Sequence, residues 1–276
     1  MSAALDRLDV RVIALDEASP GVARAREHFA QAVRWPAVDL RRSAAPELLA
    51  AGLIDLQTAH VLRLGRKHRW ELGAPGAVGL QLSVRAALEA EPAAPLLLVE
   101  DDCRFTAGLR EAVAELLAQQ ASFDLAVFGP RFVRGTQSVS PRALTEQDVR
   151  PHPALPRWGE LQPGFGFEGT HCVLYSPAGR QRVAALLAPP VRLQYDTLLA
   201  LTGAAGRCRL LLELGRPRAF VPASILSSVQ DAASYLTCRL PGGWFLTGLL
   251  AAAALVILFL LVTLRRLRPA LTCLRA

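Results

Sequence analysis

The sequence contains no asparagine and a single lysine, Lys67. Because N-glycosylation requires an Asn-x-Ser/Thr acceptor, the missing asparagine excludes that modification. Arginine and alanine are abundant instead, and we interpret this skew as a coding bias. The chain also has no P-loop and no G-x-S-x-G motif, so two common phosphate-binding and nucleophile motifs are absent.

Cysteine is sparse and shows no pattern. The chain has five cysteines, none of them in a C-x-x-C pair: Cys103, Cys172, Cys208, Cys238 and Cys273. An odd number at wide spacing argues against both a disulfide framework and a zinc knuckle. We expect buried free thiols, since free cysteine is among the most buried residue types.

Positive charge exceeds negative charge, but much of the excess is local. The formal net charge is +7, and four arginines lie within residues 265–276, which leaves +3 for residues 1–264. No other arginine-rich tract or basic helix stands out. The composition therefore argues against a nucleic-acid partner.

Charge is missing altogether from Pro241 to Leu264. Within this stretch residues 244–264 are nearly all apolar, and 21 residues at a helical rise of ~1.5 Å reach ~31 Å, the thickness of a bilayer's hydrocarbon core. We predict a transmembrane helix over 244–264, with a linker over 239–243 and a basic tail over 265–276. A buried core helix is the alternative, although core helices of this length usually have a polar face.

The N-terminus shows no secretory signal, because Asp6, Arg7 and Asp9 interrupt the first ten residues. The missing signal favours a main domain on the cytosolic side, whereas the arginines after the helix favour a cytoplasmic tail. We expect a single-pass membrane protein with a cytosolic domain, because a short tail crosses a membrane more easily than a folded domain. A lumenal domain is the alternative.

Residues 1–238 are predicted to form one α/β domain. Short apolar runs predict strands, among them 10–15, 96–99, 124–128 and 170–175, and helical stretches alternate with these runs.

The residues between several of these strands predict helices and loops. One helix is predicted over residues 45–64, and glycine and proline predict a loop over 73–79. Residues 130–168 carry Pro, Gly and Arg with little periodicity, so we predict a long loop there, and loops of that length usually serve a function. Ser176-Pro177 is predicted to begin a helix, with serine as N-cap and proline at the first position.

The strongest site signal is Glu100-Asp101-Asp102, directly after the apolar run 96–99. In open α/β sheets ligands bind beyond the carboxyl ends of the strands. Three adjacent carboxylates repel one another unless a cation shares them, and Mg²⁺ or Mn²⁺ binds to one or two carboxylates together with phosphate oxygens. A solvated acidic turn is the alternative interpretation.

Four sequence blocks occur in a recognisable order. They are Val12-Ile13-Ala14-Leu15-Asp16 with Arg24 and Arg26; Trp35-Pro36-Ala37-Val38-Asp39; Gly76-Ala77-Val78-Gly79 with Ser83 and then Leu98 to Phe105; and Gly169 to Gly179, closing on Tyr195-Asp196. Together they resemble glycosyltransferase family 25, the lipopolysaccharide and procollagen galactosyltransferase group, over roughly residues 10–231. The central block is the most specific of the four.

The resemblance implies a GT-A-like nucleotide-sugar-binding domain. It implies inverting transfer of a hexose, galactose or glucose, from a UDP-sugar to a hydroxyl group of a glycan, a lipid-linked glycan or a protein. A Mn²⁺ or Mg²⁺ ion is expected at Glu100 and Asp102, and Asp196 is the expected catalytic carboxylate. The resemblance also implies a set of donor-binding residues: Asp16, Asp39, Ser83 and Asp101. The chemistry agrees, because a metal neutralises charge on the diphosphate leaving group and an inverting displacement needs a base.

Two positions depart from the family pattern. Ala14 stands where the family has asparagine, and Val84 stands where a histidine is expected. These departures keep a second function class open, in which the chain has lost catalysis and acts as a membrane-tethered binding or scaffolding module.

Other patterns have weaker support. The run Leu97 to Asp102 also resembles the first strand of a phosphoacceptor receiver domain, but the acceptor aspartate and later lysine are missing. Gly164-x-Gly166-x-x-Gly169 spells a dinucleotide fingerprint but precedes a strand instead of opening a helix. The five histidines show no metal-ligand spacing, so each, including His171, is interpreted as a surface or core residue.

Overall fold

The computed structural model describes residues 2–65, 71–91, 93–130, 132–135, 145–163 and 165–221. The predicted linker, transmembrane helix and basic tail all lie outside these residues. No helix within the described ranges is both long enough and apolar enough to cross a membrane.

Strands and helices alternate along the chain. The strands are β1 (Asp9–Ala14), β2 (Val33–Pro36), β3 (Leu96–Glu100), β4 (Arg104–Phe105), β5 (Leu125–Val127), β6 (Phe132–Gly135), β7 (Val149–His152), β8 (Leu155–Leu161), β9 (Phe165–Glu168), β10 (Cys172–Tyr175), β11 (Leu210–Glu213) and β12 (Ala219–Phe220). The helices are α1 (Ser2–Leu5), α2 (Pro20–His28), α3 (Ala45–Ala50), α4 (Leu56–Leu64), α5 (Pro75–Glu89), α6 (Leu109–Ala118), α7 (Pro177–Leu186) and α8 (Tyr195–Ala204).

Eight of the strands form one mixed sheet in the order β2-β1-β3-β10-β5-β11-β8-β7. Strands β2, β1 and β3 pair in parallel, and β5 pairs in parallel with β11. Strand β10 lies antiparallel between β3 and β5. This arrangement confirms the α/β class. It disagrees with a receiver domain, whose doubly wound sheet has no such reversed strand.

The sheet is buried on both faces, as its apolar strands require. In β3, Leu97 and Val99 pack into one core with α1, α2 and α6, whereas Leu96 and Leu98 pack into a second core with α5, α7 and α8. Because side chains alternate along a strand, a continuous apolar run such as 96–99 supplies both cores at once. The structure is therefore three-layered, with β3 near its centre.

Two helix starts follow the sequence closely. Ser176 is the N-cap of α7 and accepts a hydrogen bond from the Gly179 N–H at 3.0 Å, with Pro177 at the first helical position. This confirms the predicted cap. Ser19 caps α2 in the same way, accepting from the Gly21 N–H at 3.3 Å.

Two predictions on either side of α4 are wrong. Residues 45–64 form two helices instead of one, because Gly52 between α3 and α4 adopts a φ of 67°, which breaks the helix. The loop predicted over 73–79 is the first part of α5, which begins at Pro75. Gly79 lies inside that helix for a packing reason: an added Cβ would lie 2.2 Å from the Val38 carbonyl oxygen.

The long loop predicted over 130–168 is also wrong where the structure describes it. These residues contribute β6, β7, β8 and β9. Pro151, Pro156 and Gly159 interrupt the alternating pattern, and β8 pairs with β11, whose residues come some fifty positions later. Such non-local pairing stabilises strands that a local pattern does not reveal.

Candidate active site

A cavity of about 360 Å³ opens at the carboxyl ends of β1 and β3. The segment after β2 and one face of α5 complete its walls. Because β1, β2 and β3 run parallel, their carboxyl ends meet at one edge of the sheet, where open α/β sheets bind ligands. Five residues predicted for the site line this cavity: Asp39, Ser83, Glu100, Asp101 and Asp102.

A second, larger cavity lies elsewhere. It measures about 900 Å³, has mostly apolar walls from α3 and α4, and is lined by none of the predicted site residues. We place the site in the smaller cavity because the carboxylates converge there.

Two carboxylates of the acidic turn after β3 lie beside His171, and the three side chains are possible metal ligands. Ligand atoms of Glu100, Asp102 and His171 all lie within 4.8 Å of one another, and each residue is partly buried. His171 Nδ1 is 3.5 Å from Glu100 Oε2. The backbone sets this approach, because the Glu100 N–H donates to the His171 carbonyl at 2.8 Å where β10 begins beside β3.

Asp102 carries the clearest electrostatic signature. Burial raises the pKa of its carboxyl to about 6, the charges of Glu100 and Asp101 add to this, and His171 opposes it. Its Oδ1 atom is buried and has no hydrogen-bond partner among the described residues. A buried carboxylate oxygen without a partner is costly unless a cation pairs with it. Two carboxylates and an imidazole are a donor set that fits Mn²⁺.

Asp101 accepts hydrogen bonds from residues outside the acidic turn. Its Oδ2 accepts a hydrogen bond from the Ser19 hydroxyl at 3.0 Å, and its carbonyl oxygen accepts from the Arg24 guanidinium. One carboxylate oxygen of Asp101 is therefore engaged by α2, while the residue still lines the cavity.

Asp39 and Arg41 form a fork-shaped ion pair on the cavity wall. Arg41 Nε donates to Asp39 Oδ1 at 2.9 Å, and its terminal nitrogen donates to Oδ2 at 2.8 Å. These hydrogen bonds hold the pKa of Asp39 at about 2. Arg41 was not predicted as a site residue, and its place beside an acidic residue in an exposed segment gave no distinct sequence signal.

Ser83 lines the cavity and holds its wall in place through hydrogen bonds within the protein. It is fully buried, its hydroxyl accepts from the Val38 N–H at 2.8 Å, and it donates to the Gly79 carbonyl at 2.7 Å. Trp35 Nε1 also donates to the Ser83 carbonyl at 3.2 Å. Both bonds of the hydroxyl are thus made within the protein, and they fasten the segment after β2 to α5.

Two predicted residues are not among those lining the cavity. Asp16 is exposed in the turn before α2, and its Oδ1 accepts from the Ala18 N–H at 2.9 Å. Asp196 is partly buried in the first turn of α8, where it accepts from the Thr197 N–H at 2.7 Å. Burial raises the pKa of Asp196 to about 6, helped by Glu168 and opposed by backbone N–H groups and His171.

His171 is the site residue that sequence reasoning missed. It follows Gly169 and Thr170 and precedes β10, seventy positions after the acidic turn. Only the antiparallel pairing of β10 with β3, in which Cys172 lies opposite Val99, places it beside Glu100. The available signals were its position in the predicted strand 170–175 and its place in the sequence block Gly169 to Gly179.

The two departures from the family pattern lie in different surroundings. Ala14 lines the cavity. Val84 is 2% exposed and packs in the core between α5 and the sheet. The valine at position 84 therefore contributes to the core, whereas the alanine at position 14 offers no polar side chain to the cavity wall.

Comparisons with known proteins give weak matches. No family model and no curated protein matches the chain. Among solved structures, a protein assigned as a glucose-1-phosphate thymidylyltransferase from Bacillus anthracis is 11% identical, with a TM-score of 0.39 over 84% of this chain and 94% of that one. A mannose-1-phosphate geranyltransferase from Thermus thermophilus is 15% identical, with a TM-score of 0.29 over 78% and 76%.

Mouse xyloside xylosyltransferase 1 is a third similar structure, 13% identical with a TM-score of 0.30 over 74% of this chain and 68% of that one. Scores this low identify neither a family nor a function. The functional argument therefore depends on the geometry of the site.

Proposed function

We propose that this chain is a metal-dependent glycosyltransferase that takes its sugar from a nucleotide-sugar donor. The observation that carries the proposal is the buried Oδ1 of Asp102, which has no hydrogen-bond partner in the described part of the chain and lies in a cluster with Glu100 and His171 at the edge of a cavity. An acidic cluster at the carboxyl end of a parallel strand suits a divalent ion and the diphosphate it binds.

Glu100, Asp102 and His171 are the residues that hold the ion in this proposal. The imidazole favours Mn²⁺ over Mg²⁺, which prefers oxygen ligands alone. A divalent ion bound there would neutralise the negative charge that develops on a diphosphate leaving group. The Asp39–Arg41 pair and the segment fastened by Ser83 form the wall against which the nucleoside binds.

The finer assignment comes from the resemblance to glycosyltransferase family 25. It comprises a GT-A-like domain, a UDP-linked galactose or glucose, inversion at the anomeric carbon and a glycan, lipid-linked glycan or protein acceptor. Asp196 serves as the base that removes the acceptor hydroxyl's proton, and its raised pKa suits that task because a base works best near the operating pH.

The catalytically lapsed alternative has one observation in its favour. Ala14 lines the cavity at a position where the family has asparagine, so one donor contact is missing. A lapsed module would still bind the metal and the nucleotide but would not turn over. The experiment below therefore measures binding and turnover separately.

Membrane attachment is the remaining part of the proposal. We place the anchor at residues 244–264 and the catalytic domain on the cytosolic side. Protease added to the cytosolic face of sealed membranes should digest residues 1–238. Protection of that domain, with the tail accessible instead, assigns it to the lumenal side.

The test compares the full-length chain with Glu100→Gln and Asp102→Asn. We expect Mn²⁺-dependent hydrolysis of a UDP-sugar in the unsubstituted chain, and loss of both Mn²⁺ and UDP binding in the two variants. Glu89→Gln is a matched control, because Glu89 is exposed on α5 and its one ion pair among the described residues is with Arg85 at 2.8 Å. Folded Asp102→Asn protein with unchanged Mn²⁺ and UDP affinity contradicts the proposal, and binding without turnover favours the lapsed module.

A further inference from the structure

Helix α2 begins directly against the acidic turn. An added Cβ at Gly21 would lie 2.3 Å from the Asp101 carbonyl oxygen and 2.6 Å from its Cα atom, so the helix and the turn are in backbone contact. Ser19, the N-cap of this helix, also donates its hydroxyl proton to Asp101 Oδ2 at 3.0 Å. One serine thus both caps α2 and orients a side chain of the turn.

Arg24, one turn further along α2, contacts the same turn twice. Its terminal nitrogen donates to the Asp101 carbonyl, and its Nε donates to the Cys103 carbonyl at 3.3 Å. These two carbonyls lie on either side of Asp102. The turn is also closed by the Cys103 N–H, which donates to the Glu100 carbonyl at 3.1 Å.

We propose that Arg24 is a positioning residue for the metal site, which sets the backbone orientation of Asp102 by binding the carbonyl oxygens of the residues before and after it, Asp101 and Cys103. The proposal rests on the metal role assigned to Asp102 under the proposed function. A planar guanidinium suits this task because its donors lie in a fixed fork, which an ammonium group lacks. Partners of this kind, which orient a ligand without touching the metal, commonly change metal affinity 10- to 100-fold.

The direct charge effect of Arg24 has the opposite sign. A positive guanidinium near a bound cation repels it, so removing the charge alone would tighten metal binding. Weaker binding after the loss of Arg24 can therefore be assigned to lost orientation. Arg26 on the same helix is a matched control, because its Nε also donates to a backbone carbonyl, that of Ala32 at 3.0 Å, away from the turn.

The experiment measures Mn²⁺ dissociation constants of the full-length protein by electron paramagnetic resonance of free Mn²⁺, with thermal unfolding as a readout of folding. We expect Arg24→Gln to weaken Mn²⁺ binding by about tenfold or more. Arg24→Lys keeps the charge but loses the fixed fork that donates to both carbonyls, so we expect about threefold weaker binding. Arg26→Gln should bind Mn²⁺ with unchanged affinity.

The outcomes separate this proposal from the one on which it rests. Unchanged or tighter Mn²⁺ binding by folded Arg24→Gln, while Asp102→Asn abolishes binding, overturns the role of Arg24 alone. Unchanged binding by Asp102→Asn overturns the metal site itself. If Arg24→Gln does not fold, Arg24→Lys decides, and Mn²⁺ affinity equal to that of the unsubstituted chain overturns the proposal.

Discussion

Asp102 carries a charge that the described residues do not neutralise on their own. Its pKa is raised from an unfolded value of about 3.9 to about 6. Between these values the folded chain binds more protons than the unfolded chain, so the stability of the metal-free protein falls as the pH rises through this window. Ionisation of Asp102 over this pH range also produces the carboxylate that binds the metal, so metal affinity should rise with pH over the same range.

We predict that Asp102→Asn stabilises the metal-free protein at pH 7. The variant removes a partly buried charge, so its free energy of unfolding should rise by about 1–2 kcal/mol, and its stability should change less between pH 4 and 6. Urea unfolding at several pH values, with Mn²⁺ chelated, measures both effects. A variant less stable than the unsubstituted chain at pH 7 would show that Asp102 serves the fold, not a ligand.

Asp196 gives a second prediction at a single residue. If its carboxylate accepts the proton of the acceptor hydroxyl, sugar transfer should fall as the pH drops through about 6, where this group becomes protonated. Asp196→Asn should reduce transfer by about 10²-fold or more and leave UDP affinity unchanged. Near-normal turnover in the variant removes Asp196 from the site.

Helix α5 shows how an element serves the site through its packing. Gly79 allows the Val38 carbonyl to approach the helix, and Ser83, one turn later, bonds to the Val38 N–H at 2.8 Å. Both contacts fix the segment after β2, which carries Asp39 and Arg41 on the cavity wall. The small residue and the hydroxyl therefore shape the cavity without needing to touch a ligand.

Gly79→Ala should separate α5 from this segment. The new methyl group would meet backbone that cannot rotate away, so we expect a loss of about 2–4 kcal/mol of stability and weaker UDP binding. Gly203→Ala in α8 is the control, because the nearest atoms to its Cβ would belong to the Leu210 side chain, at 3.2 Å, and alanine favours a helix. Equal stability of the two variants in urea unfolding would rule out this account of Gly79.

At the scale of the whole molecule, a buried arginine joins helices and strands at the edge of the sheet opposite the cavity. Arg180 on α7 is fully buried and donates to four backbone carbonyls near the C-terminal end of α5 and the start of β3: Ala87, Leu88, Ala90 and Ala94. It also lies 3.4 Å from Asp9 at the start of β1. One side chain thus joins two helices and the sheet.

Arg180→Met should remove one donor from each of these carbonyls, and only the Ala87 carbonyl would keep another side-chain donor in the described structure, a terminal nitrogen of Arg11 at 3.2 Å. We expect a loss of about 3–5 kcal/mol of stability, the range for breaking a buried polar network. Arg85→Met, which removes the surface pair of Arg85 with Glu89, should cost less than about 0.5 kcal/mol. Mn²⁺ affinity should stay unchanged in folded Arg180→Met protein, because the site lies at the other edge of the sheet. A small stability loss would mean that water replaces the guanidinium.

The sequence by itself determined the features that depend on neighbours along the chain. The apolar run 96–99 and the carboxylates after it predict a strand with an acidic end, because both signals are local. Ser176-Pro177 predicts a helix start for the same reason, since a cap needs only the next turn of backbone. The α/β class follows from such patterns, whereas Asp39 and Ser83 were predicted as donor-binding residues from the family resemblance, and the structure places both in the wall of the cavity.

Only the tertiary structure decided what depends on distant strands and helices. His171 joins the acidic turn because β10 pairs antiparallel with β3, and no local pattern encodes that pairing. Strand β8 depends likewise on its pairing with β11, whose residues come some fifty positions later. Arg24 clamps the acidic turn only because α2 packs against it. Local propensity is a weak preference, and packing between distant segments outweighs it.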